Sequence, residues 1–113
     1  VFGASADKDV TGMFHALLPQ VDHLLLAQAV HPRAMALQVL EEQAAGVGFH
    51  GTVEAVPVVG EALRRARALT GPDGVVVVTG SLFIIGEARD CLGLPAGQAV
   101  NYDPALLERL LLE

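Results

Sequence analysis

Lys8 is the only lysine in the chain, and it stands between two aspartates in Asp7-Lys8-Asp9. A compact ammonium at a helix start, where the backbone adds a partial positive charge, suits a carboxylate or a phosphate. The flanking aspartates would hold that ammonium charged and aimed. The same triplet also reads as a solvated turn with Asp9 as a helix cap, since aspartate is a favoured cap. A second candidate is Thr79-Gly80-Ser81, which follows the run Val75-Val76-Val77-Val78. Gly80 permits a tight turn and close backbone approach, and free amides at a helix start can bind an anion. The Ser81 hydroxyl can donate to a carboxylate, or it can simply cap its helix. The third candidate is His31-Pro32-Arg33. Arg33 can grip a phosphate or carboxylate through two parallel hydrogen bonds, or it can be a surface arginine at a helix start.

Other chemistries find little footing. His15, His23 and His50 have no ligand-like spacing to one another or to Cys91, so no metal site is expected. They read as surface or core-edge histidines. One cysteine cannot form an internal disulfide, which fits a reducing, cytoplasmic setting. A hydrolase triad of Ser81, His31 and an aspartate would need a Gly-x-Ser-x-Gly elbow, and none is present. Neither Gly-x-Gly-x-x-Gly nor Gly-x-x-x-x-Gly-Lys-Ser/Thr occurs, so a self-sufficient nucleotide enzyme is not expected. The net charge is -6, and the only basic cluster is Arg64, Arg65 and Arg67, which argues against a nucleic-acid partner. The longest apolar stretch, Val75 to Ile85, is interrupted by Thr79, Gly80 and Ser81 and falls short of the about 20 residues that span a bilayer. No membrane partner is expected, and the first residues lack the basic-then-apolar pattern of a signal peptide.

The elements that must position these residues alternate along the chain. With 113 residues, 52% of them hydrophobic, one packed domain is expected. Val1 to Ala4 reads as the stump of a strand, and the opening Val1-Phe2-Gly3 suggests a chain cut inside a buried strand. Asp9 would cap a helix reaching Leu18, ended by Pro19. Val21 to Gln28, with Leu24-Leu25-Leu26, reads as a buried strand. A helix is expected from Pro32 to about Ala45, with proline in its first turn. Gly51 to Val56 is the next strand, and Val59, Ala62, Leu63, Ala66 and Leu69 mark a helical face. Val75 to Val78, all β-branched, reads as a strand buried on both faces. A helix from Gly80-Ser81 to about Leu92 follows, then a short strand near Gln98 to Asn101 and a last helix from Pro104, capped by Asp103. Alternating buried strands and helices define an α/β fold, an open and mostly parallel sheet with helices on both faces. Ligands of such sheets sit at the carboxyl ends of the strands, where all three candidate segments fall.

Several segments resemble folylpolyglutamate synthases. Val1 to Asp9 resembles their strand and Asp-Lys-Asp loop. Pro32-Arg33-Ala34 resembles the Pro-Arg-Ala after their next strand. Val76 to Phe83, with Gly86-Glu87-Ala88-Arg89 beyond, resembles their Val-Thr-Gly-Ser-Leu segment. The order and spacing match over nearly the whole chain.

That family belongs to the Mur ligase superfamily, and the resemblance implies its Rossmann-like carboxy-terminal domain, spanning 1–113 with the first strand and helix missing. It implies an ATP-dependent ligase that adds L-glutamate to folate or dihydropteroate. A substrate carboxylate becomes an acyl phosphate, the amino group of glutamate attacks it, and phosphate leaves. By position, Lys8 and Ser81 resemble the residues that meet glutamate, with Asp7, Asp9, Arg33 and Gly80 in support. No residue here is assigned a catalytic role, and His31 carries little weight because many relatives have another polar residue there. ATP and Mg would be bound mainly by the amino-terminal domain of the same chain, which supplies the phosphate loop. No cofactor is expected in this fragment, which alone would be inactive. Another Mur-type amino-acid ligase and a stand-alone α/β binding module are the competing expectations.

Overall fold

The computed structural model describes residues 1–94. At its centre, β1 (His23–Leu26) pairs in parallel with β2 (Thr52–Ala55), with His23 opposite Thr52 and Leu26 opposite Ala55. On the other side of β1 lies the segment around Phe2. The Phe2 N–H donates to the Leu25 carbonyl at 2.8 Å, and the Ala27 N–H donates to the Phe2 carbonyl at 2.9 Å. Phe2 also bridges Thr79 in parallel. There the Thr79 N–H donates to the Val1 carbonyl at 3.0 Å and the Gly3 N–H to the Thr79 carbonyl at 3.3 Å. The spatial order is thus the Thr79 segment, the Phe2 segment, β1, β2. Every pairing among them is parallel, so their carboxyl ends share one edge.

Both expected flanking strands are reduced to single-residue bridges at Phe2 and Thr79. The valine run also departs from expectation, because it is not buried on both faces. Val76 and Val78 pack against apolar side chains, while Val75 and Val77 are 44% and 56% exposed. Among the described residues this segment has a partner on one side only, and β-branched composition cannot distinguish an outer position from an inner one. The strand covered on both faces is β1. Its Leu24 and Leu26 enter one core, and Ala27 just beyond it enters the other.

Among the described residues, four helices supply the two layers. They are α1 (Val10–Leu17), α2 (Leu37–Gly46), α3 (Val59–Thr70) and α4 (Leu82–Cys91). Helix α1 starts where Asp9 accepts the Gly12 N–H at 3.1 Å, and runs into a short 3-10 turn, Leu18–Gln20, that holds Pro19. Helices α1 and α2 pack together over Phe2, Phe14, Leu24, Leu26 and Leu40. Phe2 and Phe14 meet as a tilted aromatic pair with centroids 4.7 Å apart. On the opposite face α3 and α4 pack over Ala27, Val59, Ala62, Ile84 and Ala88. Burial of each large side chain contributes about 1.5–3 kcal/mol. The small alanines on the second face let two helices approach the sheet closely.

The second helix begins five residues later than the Pro32 start expected from sequence, at Leu37. Residues 32 and 33 form a turn, and Ala34 instead bridges Ser5 in antiparallel fashion. The Arg33 carbonyl accepts the Ala6 N–H at 2.8 Å, and the Met35 N–H donates to the Ala4 carbonyl at 2.8 Å. Backbone groups committed across the chain cannot also close a helix. The strand near Gln98 to Asn101 and the helix from Pro104 lie outside the described residues. No helix among the described residues is long and apolar enough to cross a membrane.

Candidate functional site

The described helices come after the parallel segments in chain order, α2 only after the turn and bridge at residues 32 to 34, so their amino ends lie toward the edge formed by the strands' carboxyl ends. That edge therefore collects free backbone amides and partial positive charge. Three loops line it, and specific contacts fasten them to one another.

The first loop carries Asp7, Lys8 and Asp9, all exposed. The Lys8 N–H donates to the Ser5 carbonyl at 3.1 Å, which tightens the turn and leaves the ammonium unconstrained by backbone. Asp9 spends one carboxylate oxygen on the α1 cap. The capping reading of Asp9 is thus correct, and it is compatible with Asp9 standing beside the lysine.

The second loop carries His31 and Arg33. The bond between Ala6 and Arg33 and the bridge between Ser5 and Ala34 lay it directly against the first loop. Arg33 is exposed. Within the loop the Arg33 N–H donates to His31 Nδ1 at 3.1 Å.

The third segment is Thr79-Gly80-Ser81. Gly80 has φ +109, a conformation that favours glycine, and a Cβ there would collide with the Gly3 carbonyl. This close approach seats the start of α4 on the end of the Phe2 segment. Ser81 Oγ accepts the Phe83 N–H at 3.1 Å and caps α4. The cap uses an oxygen lone pair and leaves the hydroxyl proton free to donate, so capping and anion binding are compatible.

Lys8, Arg33 and Ser81 therefore belong to loops that share one rim. The sequence reading missed what joins the second loop to the third. His31 stacks on Phe83 with centroids 3.9 Å apart and ring planes at 19°, and the Val30 N–H donates to Glu87 Oε2 at 3.0 Å. The only advance signal was Phe83, two residues after Ser81.

A cavity of about 390 Å³ lies elsewhere, at the amino ends of the strands, lined in part by Gln20, Asp22, His23, Leu69 and Val75. Helices α1 and α3 end toward it, and helix carboxyl ends carry partial negative charge. The helix ends thus set partial negative charge at this cavity and partial positive charge at the opposite rim.

The parallel segments, the helices on both faces and the loops clamped together at the strand ends define an α/β domain. Residues 1–82 match the family described as Mur ligase, glutamate ligase domain, and the chain belongs to that family. Among its relatives is a probable bifunctional folylpolyglutamate synthase/dihydropteroate synthase of Halobacterium salinarum, 40% identical over 89 residues, which are 79% of this chain and 11% of that protein. The counterpart from Haloferax volcanii is 38% identical over 79% of this chain and 10% of that protein. Among solved structures, Mycobacterium tuberculosis folylpolyglutamate synthase complexed with ADP and AMPPCP aligns with a TM-score of 0.73 and 28% identity, over 81% of this chain and 22% of that one. A second structure of that enzyme, complexed with ADP, aligns at a TM-score of 0.69 and 23% identity, over 86% of this chain and 23% of that one, a likeness of fold. The chain thus spans about a tenth of the curated relatives it matches and under a quarter of the solved ones.

Proposed function

We infer that this chain is the glutamate-binding domain of a folylpolyglutamate synthase-like ligase, working with an ATP-binding domain amino-terminal to it. The observation that carries this reading is the fastening of Lys8, Arg33 and Ser81 onto one rim, by the hydrogen bonds of Ala6 with Arg33 and of Gly3 with Thr79. Lys8 offers a point positive charge to a carboxylate of the incoming L-glutamate, and the Ser81 hydroxyl donates to it. Arg33 supplies a second cation from the neighbouring loop. Asp7 and Asp9 flank the lysine in the same exposed loop and support its placement. Gly80 keeps the backbone low, so the α4 amides remain accessible to an anion.

The ligation joins the glutamate amino group to a folate or dihydropteroate carboxylate carried as an acyl phosphate, with ATP as phosphoryl donor. The amine attacks the acyl carbon, the C–O bond to phosphate breaks, and the amine loses a proton as the amide forms. This chain binds and orients the nucleophile. Phosphate and Mg binding fall to the other domain, because no Gly-x-x-x-x-Gly-Lys-Ser/Thr cradle occurs here. The resemblance of Val76 to Phe83 to the folylpolyglutamate synthase segment favours the folate branch over other Mur-type ligases, and the archaeal relatives agree with it.

The test is kinetic. In the ligase that carries this domain, Lys8→Ala and Ser81→Ala should each raise the KM for glutamate about 10- to 150-fold, corresponding to about 1.5–3 kcal/mol for one charge-assisted hydrogen bond. The KM for ATP should change far less. Unaltered glutamate kinetics in both variants would overturn the assignment.

A further inference from the structure

We propose that His31 is a positioning residue for the glutamate site, a splint that fixes the Arg33 loop to the Ser81 helix start. The inference rests on the reading of that rim given above, and it concerns a residue to which sequence reasoning gave little weight.

His31 is engaged at one face and one edge of its ring. One face stacks on Phe83, two residues beyond Ser81, with centroids 3.9 Å apart. At the ring edge, Nδ1 accepts the Arg33 N–H at 3.1 Å. This bond from residue 31 to the amide two positions on has the form of an Asx-turn, with imidazole in place of a carboxamide. It requires an unprotonated Nδ1, so the neutral ring carries its proton on Nε2. Next door, the Val30 N–H reaches Glu87 of α4 at 3.0 Å. The Arg33 carbonyl then holds Ala6 at 2.8 Å, which ties in the Lys8 loop. A continuous path thus runs from the Ser81 helix through Phe83, His31 and Arg33 to the loop bearing Lys8.

The arrangement is more specific than ordinary loop packing requires. Val30 is 94% exposed and Leu82 is 85% exposed, so the residues beside the stacked pair contribute little burial to hold these segments together. The stack and the bond from Val30 to Glu87 do that instead, while the turn bond fixes the His31 ring relative to Arg33. Aromatic stacking and one neutral hydrogen bond are each modest, so the expected effect of losing either is modest too.

Two substitutions separate the contributions. His31→Asn keeps an acceptor suited to the Arg33 amide and loses the stack. His31→Phe keeps the stack and loses the acceptor. In the intact ligase, with L-glutamate as the varied substrate, each should raise the glutamate KM about two- to ten-fold and leave kcat and the ATP KM nearly unchanged. In a Ser81→Ala background the effect of His31→Asn should shrink toward none, because the splint acts through the residue it positions. A purely structural role would instead lower kcat and the thermal midpoint together, and would persist in that background; this result overturns the proposal. If Lys8→Ala and Ser81→Ala raise the glutamate KM while both His31 variants match the parent, the splint fails and the site stands. If none of the four changes it, the site itself fails.

Discussion

At the scale of single residues, the rim depends on side chains and glycines that serve more than one purpose. Ser81 ends its helix with a lone pair and keeps a proton to donate, and Asp9 does comparable double duty beside Lys8. Gly80 is the least replaceable. Gly80→Ala would place a methyl group against the Gly3 carbonyl at a φ that L residues rarely adopt, so it should destabilise the fold by at least about 2 kcal/mol. Urea unfolding monitored by circular dichroism would measure this, and an unchanged midpoint would contradict the account. Gly3→Ala should also be costly, since its Cβ would lie 2.6 Å from the Ala27 carbonyl oxygen. Lys8, Arg33 and Ser81 were legible as candidates because charge, hydroxyl and glycine punctuation are local properties. His31 was not, because its meaning comes from Phe83, far away in sequence, and chain order does not reveal which rings will stack.

At the scale of elements, the helices were the readable part. The apolar faces of α1 and α3, and the caps at Asp9 and Ser81, appear where local patterning puts them. The start of α2 does not, because Ala34 and Met35 give their backbone groups to Ser5 and Ala4, a tertiary preference that outweighs proline's liking for a first helical turn. Phe14→Ala should cost about 3–5 kcal/mol, since that ring is fully buried between α1, α2 and Phe2. A chemical-denaturation midpoint that barely moved would refute the two-layer account of the core. On the other face, Arg65 of α3 holds Glu54 of β2 through a two-pronged contact at 2.9 and 3.0 Å. That guanidinium keeps the Glu54 carboxyl below its usual range. Its contribution to stability should be present above the ordinary carboxylate pKa and fade as pH falls through the lowered one. Carbon-13 titration should show Glu54 returning toward the ordinary value in Arg65→Ala, and an identical titration in both proteins would exclude the pair as the cause.

At the scale of the whole molecule, the reading of an α/β sheet with helices on both faces holds, while the expectation of a uniformly buried valine strand does not. Composition reports how much apolar surface must be covered and is silent on which segment takes the outer place. The net charge of -6 opposes an acidic amino acid at long range, so recognition at the rim has to come from close contacts and from the helix amino ends. With the phosphate-binding machinery assigned to another domain, the purified chain mixed with ATP, Mg, folate and L-glutamate should form no detectable glutamylated product. Turnover by the chain alone would reverse the division of labour proposed for it.

The clamps at the rim that join residues 3 to 79 and 30 to 87 link partners that chain connectivity does not bring together early. Each must wait for a long loop to close, and the entropy of that closure is lost before the contact gives anything back. The folding nucleus should therefore form within the α1–β1–α2 layer, with the ligand-gripping edge maturing after the rate-limiting barrier. Substitutions at Gly80 or His31 should then hasten unfolding and leave the refolding rate almost untouched.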